Sequence, residues 1–170
     1  MSEKLVALFT AALGGKLGNE VICFIISLFP ILELRAGIPL ARMAELPLGQ
    51  AIFFSVLGNV IPIPFILLFI TPIFAWLKKA KIFRPMVEWL EKRSMGKSEK
   101  IQRMEFWGLT LFVGIPLPGT GAWTGSLIAS LLDIKFKKAL PAVYLGLLIA
   151  TVIMCTVSYL IPSLVSGALA

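Results

Sequence analysis

Glu33 and Arg35 are the only charged residues in Pro30-Ile31-Leu32-Glu33-Leu34-Arg35-Ala36-Gly37-Ile38-Pro39, a break bounded by proline inside strongly apolar sequence. Ionisable groups at membrane depth are costly and mark function by default. Glu33 is a candidate proton carrier, because the chain has no histidine and proton chemistry must fall to carboxylates. Arg35 carries a planar fork of N–H donors that matches a phosphate. The plainer alternative is an internal Glu–Arg pair, self-neutralising or shallow enough to meet water. A second break, Gly114-Ile115-Pro116-Leu117-Pro118-Gly119-Thr120-Gly121-Ala122-Trp123, has no charge. It offers the Thr120 hydroxyl, a Trp123 ring and the N–H groups of a starting helix, with Gly119 and Gly121 allowing close backbone approach. A helix N-terminus facing a cavity favours anions. The plainer alternative there is a tight turn that only reverses the chain.

These residues must be positioned by membrane helices. Of the 170 residues 58% are hydrophobic, and mean hydropathy is +0.94, far above soluble averages. Residues 49–77 and 139–166 lack charge and are long enough to cross a bilayer. Val21–Phe29 and Ile38–Ala44, on either side of the first break, are too short to cross a ~30 Å core at ~1.5 Å per residue. Two short helices folded back at a break make a re-entrant hairpin, and broken backbone at that depth needs protein or a wet cavity around it. Paired breaks in corresponding parts of two halves point to a substrate site near the midplane. Pro62, Pro64 and Pro72 are expected to bend the first span.

A shift of 88 residues brings Gly37 onto Gly125, Ala41 onto Ala129, Glu45 onto Asp133 and Gly58 onto Gly146. The fold expected is an all-α membrane protein of one domain, residues 1–170, with two inverted repeats. Each repeat is a re-entrant helical hairpin plus a full transmembrane helix, over about 18–77 and 105–166. One hairpin plus one span is an odd number of crossings, so the halves must be inverted. Between Lys78 and Arg103 nine basic residues face only Glu88, Glu91 and Glu99. This loop, 78–104, reads as cytoplasmic by the positive-inside rule, with anionic lipid head groups as its contacts and an amphipathic helix around Val87, Trp89 and Leu90. Residues 1–19 read as a short interfacial helix. After the loop, a short apolar piece is expected from Phe106 to Leu117.

Soluble catalysis finds no support. No nucleophile–base constellation exists without histidine, Gly114-x-x-x-x-Gly119 lacks the lysine of a phosphate loop, and Cys23 and Cys155 read as core residues. No enzyme activity, cofactor, metal or nucleic acid is expected. Asn59 reads as a hydrogen-bonding group between helices, and Arg42 as an interfacial anchor.

The two motifs together resemble the small multidrug export protein family, over most of the chain. The layout is also similar, more distantly, to the DedA (SNARE-associated, VTT) superfamily. That resemblance implies two hairpins of opposite orientation, an acid and a proline in the first, matched here by Glu33 and Pro39, and proton-linked translocation of undecaprenyl phosphate by some members. Phe112, Pro116 and Pro118 would match the second hairpin, but Gly114 stands where the superfamily has arginine; Arg35 could supply that charge. The function expected is therefore a cell-membrane, multi-pass transporter, of a prokaryotic cytoplasmic membrane, moving a polyprenyl phosphate lipid carrier. Arg35, Pro39, Pro116, Pro118, Gly119, Thr120, Gly121 and Trp123 would bind it, and Glu33 would couple protons. The rivals are an exporter of small hydrophobic cations, and a scaffold or membrane-homeostasis protein. Two spans and two half-depth hairpins enclose little area, which makes a homodimer plausible.

Overall fold

The computed structural model describes residues 18–79, 85, 88, 98–117 and 119–163. Every regular element among them is helical. The chain divides into two units, Met1–Ile61 with Leu148–Ala170, and Pro62–Leu147.

The first unit begins with α1, Asn19–Leu28. It stops because Phe29 precedes a proline, which disfavours helical backbone at the residue before it; Phe29 is extended, with ψ 137°. After the break comes α2, Glu33–Met43, which carries Pro39 inside it. It closes with a Schellman turn: Leu46 N–H donates to the Ala41 carbonyl and Glu45 N–H to that of Arg42, with Glu45 left-handed at φ 57°. Pro47 then caps α3, Leu48–Val60. Ile22, Cys23, Ile26, Leu40, Ala41 and Ala51 form the buried core of these three helices, with Phe54 and Tyr159 packed against it. Lipid tails are as apolar as leucine, so packing and close backbone approach, rather than removal from water, hold such helices together. Gly58 permits that approach: a Cβ there would lie 2.5 Å from the Phe24 carbonyl oxygen and 2.9 Å from Ser27 Cβ.

The second unit holds α4, Pro62–Lys79, α5, Ser98–Gly114, and α6, Ala122–Leu131. It also holds α7, Phe136–Cys155, as far as Leu147. Its α6 packs on α4 and α5, around buried Ile63, Ile66, Leu109, Val113, Ile128 and Val143. Thr110 Oγ1 donates to the Phe106 carbonyl of its own helix at 2.9 Å and lies 3.1 Å from that of Ala142. After α7 the helix widens into a π turn, Thr156–Leu160, in the first unit.

Two apolar helical stretches are long enough to cross a membrane, Leu48–Ile70 and Phe136–Ser163, with mean hydropathy 2.3 and 2.2. The first contains a break at Ile61, where Pro62 and Pro64 bring no N–H to the carbonyls of Gly58 and Val60; Ile61 itself stays helical. Two expectations change. The helix before the second break starts at Ser98, not Phe106, because a helix needs no apolar residues in its polar first turns. Glycine contacts correspond at a shift of 88 after the breaks, as Gly37 with Gly125 and Gly58 with Gly146, but at 86 before them, as Ser27 with Val113. The interfacial helix at 1–19, but for its last residues, and the Val87, Trp89 and Leu90 cluster lie outside the described residues.

Candidate functional site

The first break is a short turn closed on one carbonyl. Phe29 O accepts the N–H groups of Leu32 at 3.2 Å and Glu33 at 3.0 Å. Glu33 opens α2 in the left-handed region, φ 51°, and is only 3% exposed. An L residue in that conformation costs about 1–2 kcal/mol, and strain of this kind gathers at functional sites. The carboxylate also stands where the helix dipole favours negative charge. Arg35, two residues on, is half-buried and interacts electrostatically with Glu33. Pro39, also half-buried, removes the amide that would donate to the Arg35 carbonyl in a regular helix.

Gly37 lies one turn beyond Glu33 on the same face of α2. The space a Cβ would fill at Gly37 is taken by Ser27 Oγ from α1, with Ser55 Oγ from α3 at 2.8 Å. Asn59 lies one turn further along α3. Ser27, Ser55 and Asn59 are all fully buried. Their hydroxyls and both polar atoms of the Asn59 amide have no hydrogen-bond partner. Asn59, expected to hydrogen-bond between helices, makes no such bond, and neither serine was expected to matter. The other half has valines at the corresponding positions, but Ser27 corresponds to Val113 only at a shift of 86, which the helix contacts and not the sequence show.

The second break is built differently. Gly119 and Gly121 supply the positive φ values of the turn, 76° and 133°. Thr120 Oγ1 lies 2.9 Å from the carbonyls of both Ile115 and Leu117, as donor, and accepts the Leu117 N–H at 3.3 Å. Its hydroxyl thus closes the turn. Gly125 N–H donates to Gly121 O at 2.8 Å to start α6. Pro116 and Trp123 are half-buried, Gly119 is exposed and Gly121 buried; Pro118 lies outside the described residues. The structure thus gathers Glu33, Arg35 and Pro39 on one helix, and Pro116, Gly119, Thr120 and Gly121 in one turn that leads into α6 and Trp123.

Arg42 sits elsewhere in the first unit. Its guanidinium carbon is 5.5 Å from the centre of the Tyr159 ring, and the Tyr159 hydroxyl donates to Leu46 O at 3.1 Å. Both line an open groove of about 500 Å³ with Leu48, Cys155 and Leu160. Among the described residues no three His, Cys, Asp or Glu side chains come together to hold a metal.

Residues 33–153 match the family described as "Putative small multi-drug export protein". The chain belongs to this family. The matched region begins at Glu33 and takes in the second break and most of both long apolar stretches. This member of the small multidrug export family is a membrane protein. Phe53, Phe65, Trp76, Leu148 and Val152 stand exposed on its helices, as side chains facing lipid do. No curated protein and no solved structure matches the chain.

Proposed function

We propose that this protein exports small hydrophobic cations across a prokaryotic cytoplasmic membrane, with Glu33 as the charge that holds them. One observation carries the reading: a carboxylate is buried and held left-handed at position 33, where the 88-residue shift puts Gly121 in the other half. A hydrophobic cation needs an opposite charge in a low-dielectric setting, and a permanent charge there is costly once the cation leaves. A proton taken up by Glu33 removes that cost, so exchange of cation for proton follows from a single acid. No bond is made or broken, and no cofactor is needed.

The frame we infer is multi-pass, with each break as the bend of a re-entrant hairpin and the two halves inverted. Support comes from three of the four hairpin helices, of 10 and 11 residues, about 15–17 Å and half the ~30 Å core; the fourth, Ser98–Gly114, has 17 residues and begins in the polar sequence before the apolar piece. The charge asymmetry adds to it: Lys135, Lys137 and Lys138 follow the second hairpin, and no lysine follows the first. On this reading loop 78–104 is cytoplasmic and touches anionic lipid, and a homodimer supplies further wall.

A phosphate-headed lipid such as undecaprenyl phosphate is the second reading. It is favoured by Arg35, half-buried beside the break, and by the likeness to DedA proteins. The engaged Thr120 hydroxyl favours it less. Proteoliposomes loaded with ethidium separate the two. Glu33→Gln should slow efflux roughly tenfold or more, the loss expected when over ~1.4 kcal/mol of pairing disappears, while Arg35→Ala keeps it. Parental efflux from Glu33→Gln would overturn the cation reading. Saturable undecaprenyl phosphate binding that Arg35→Ala abolishes, without ethidium efflux by the parent, would establish the second.

A further inference from the structure

The first unit packs polar groups where the second packs hydrocarbon in the same local frame. A Cβ at Gly58 would meet Phe24 O and Ser27 Cβ, and one at Gly146 would meet Thr110 O and Val113 Cβ. Likewise a Cβ at Gly37 would meet Ser27, and one at Gly125 would meet Val113. Val113 therefore holds the place of Ser27. The shift of 88, which relates both glycine pairs, puts Val143 and Leu147 at the places of Ser55 and Asn59. All three apolar residues are at most 2% exposed. So the frame does not require oxygen or nitrogen at these positions.

Yet Ser27, Ser55 and Asn59 are fully buried with their polar atoms unpartnered. Buried polar groups without partners cost about 1–3 kcal/mol each. The helical hydroxyls of Thr110 and Thr156 bond back to the carbonyl four residues earlier; those of Ser27 and Ser55 do not. In the second unit Ser126 is the one such group among the described residues, and it stands alone. Helices α2 and α3 are joined by a tight turn and run antiparallel. Setting Gly37 opposite Ser55 brings position 33 level with position 59, one turn along each helix.

We propose that Ser27 Oγ, Ser55 Oγ and Asn59 Oδ1, with the Glu33 carboxylate one turn away, form a binding site for one monovalent alkali cation such as sodium. The donors are hard oxygens, which suit alkali and alkaline-earth ions. The donors at Ser27, Ser55 and Asn59 are neutral and Arg35 already shares the Glu33 charge, so a monovalent ion is far less costly to hold in this low-dielectric interior than a divalent one. The site stands whichever substrate the protein moves.

The test uses the purified protein in detergent with no substrate, so failure of the transport reading leaves it intact. Thermal unfolding is followed in sodium chloride, potassium chloride and choline chloride at equal ionic strength. Sodium should raise Tm by roughly 3–6 °C at ten times its Kd, and choline should not. Ser55→Val and Asn59→Leu should abolish the sodium response while keeping the choline Tm, since the second unit packs valine and leucine there. Equal Tm in sodium and choline, a shift with pH alone, or a sodium response surviving both variants would overturn the site. Should either variant fail to fold, sodium titration of the parent by calorimetry decides: saturable binding supports the site, and its absence ends it.

Discussion

The turn that ends α2 and the turn that ends α6 are alike bond for bond, while the breaks before those helices are not. Leu46 N–H to Ala41 O recurs as Ile134 N–H to Ala129 O, and Glu45 N–H to Arg42 O recurs as Asp133 N–H to Ser130 O. Glu45 and Asp133 share a left-handed φ, 57° and 52°. Upstream the contents part. Left-handed backbone at the start of the helix is supplied by glycine at 121 and by a buried glutamate at 33. Serine at 27 faces valine at 113 in the comparison. What the two units share is what helix packing demands; what only the first has is a candidate for function.

The largest effect should come from closing the helix contacts that both units use. Gly58→Ala puts a Cβ 2.5 Å from the Phe24 carbonyl, and Gly146→Ala one 2.6 Å from that of Thr110. Backbone cannot swing aside as a side chain can, so each should cost about 1–3 kcal/mol in detergent unfolding. A loss at one site and none at the other would break the likeness of the two frames. Thr110→Val should cost less, about 1 kcal/mol, for a buried hydroxyl placed between the Phe106 and Ala142 carbonyls. A neutral result would mean that helix contact needs no polar link.

Much of this frame could be read from composition and spacing. The apolar runs gave both long stretches, and Pro30 gave the end of α1, because a restricted preceding residue acts locally; Pro62, read as a bend, in fact separates α3 from α4. The gapless shift failed before the breaks. Phe24 and Thr110 are 86 residues apart in the contacts they make, as are Ser27 and Val113, while Gly58 and Gly146 are 88 apart. The second break is therefore two residues longer, which pairs Pro30 with Pro116 rather than Pro118. Two extra residues in an apolar, proline-rich turn leave no periodic trace. For the same reason the serine pair escaped: facing across helices is a tertiary fact, and one serine in an apolar run looks like any other small residue. Thr120 reads in sequence as a ligand-binding hydroxyl, while its bonds go to the Ile115 and Leu117 backbone of its own turn.

The smallest effects should be gains. Glu45→Gly and Asp133→Gly each relieve a left-handed L residue and should stabilise by about 0.5–1 kcal/mol, equally if the two exit turns are equivalent. Unequal gains would show that one of the two acids makes a contact the other lacks. Thermal unfolding of the pair in the same detergent reads the difference.

The central claim is that the first unit's buried polar groups serve to bind a cation and not to fold the chain. The direct measurement gives that unit the second unit's residues, Ser27→Val, Ser55→Val and Asn59→Leu together, and reads two quantities from one preparation. Unfolding in choline chloride should show a Tm no lower than the parent's, because no buried polar group is left without a partner at those three sites. Unfolding in sodium chloride should show the same Tm as in choline chloride, the parent's sodium response being lost. A triple variant that keeps the parent's sodium response would contradict the account, whatever its stability.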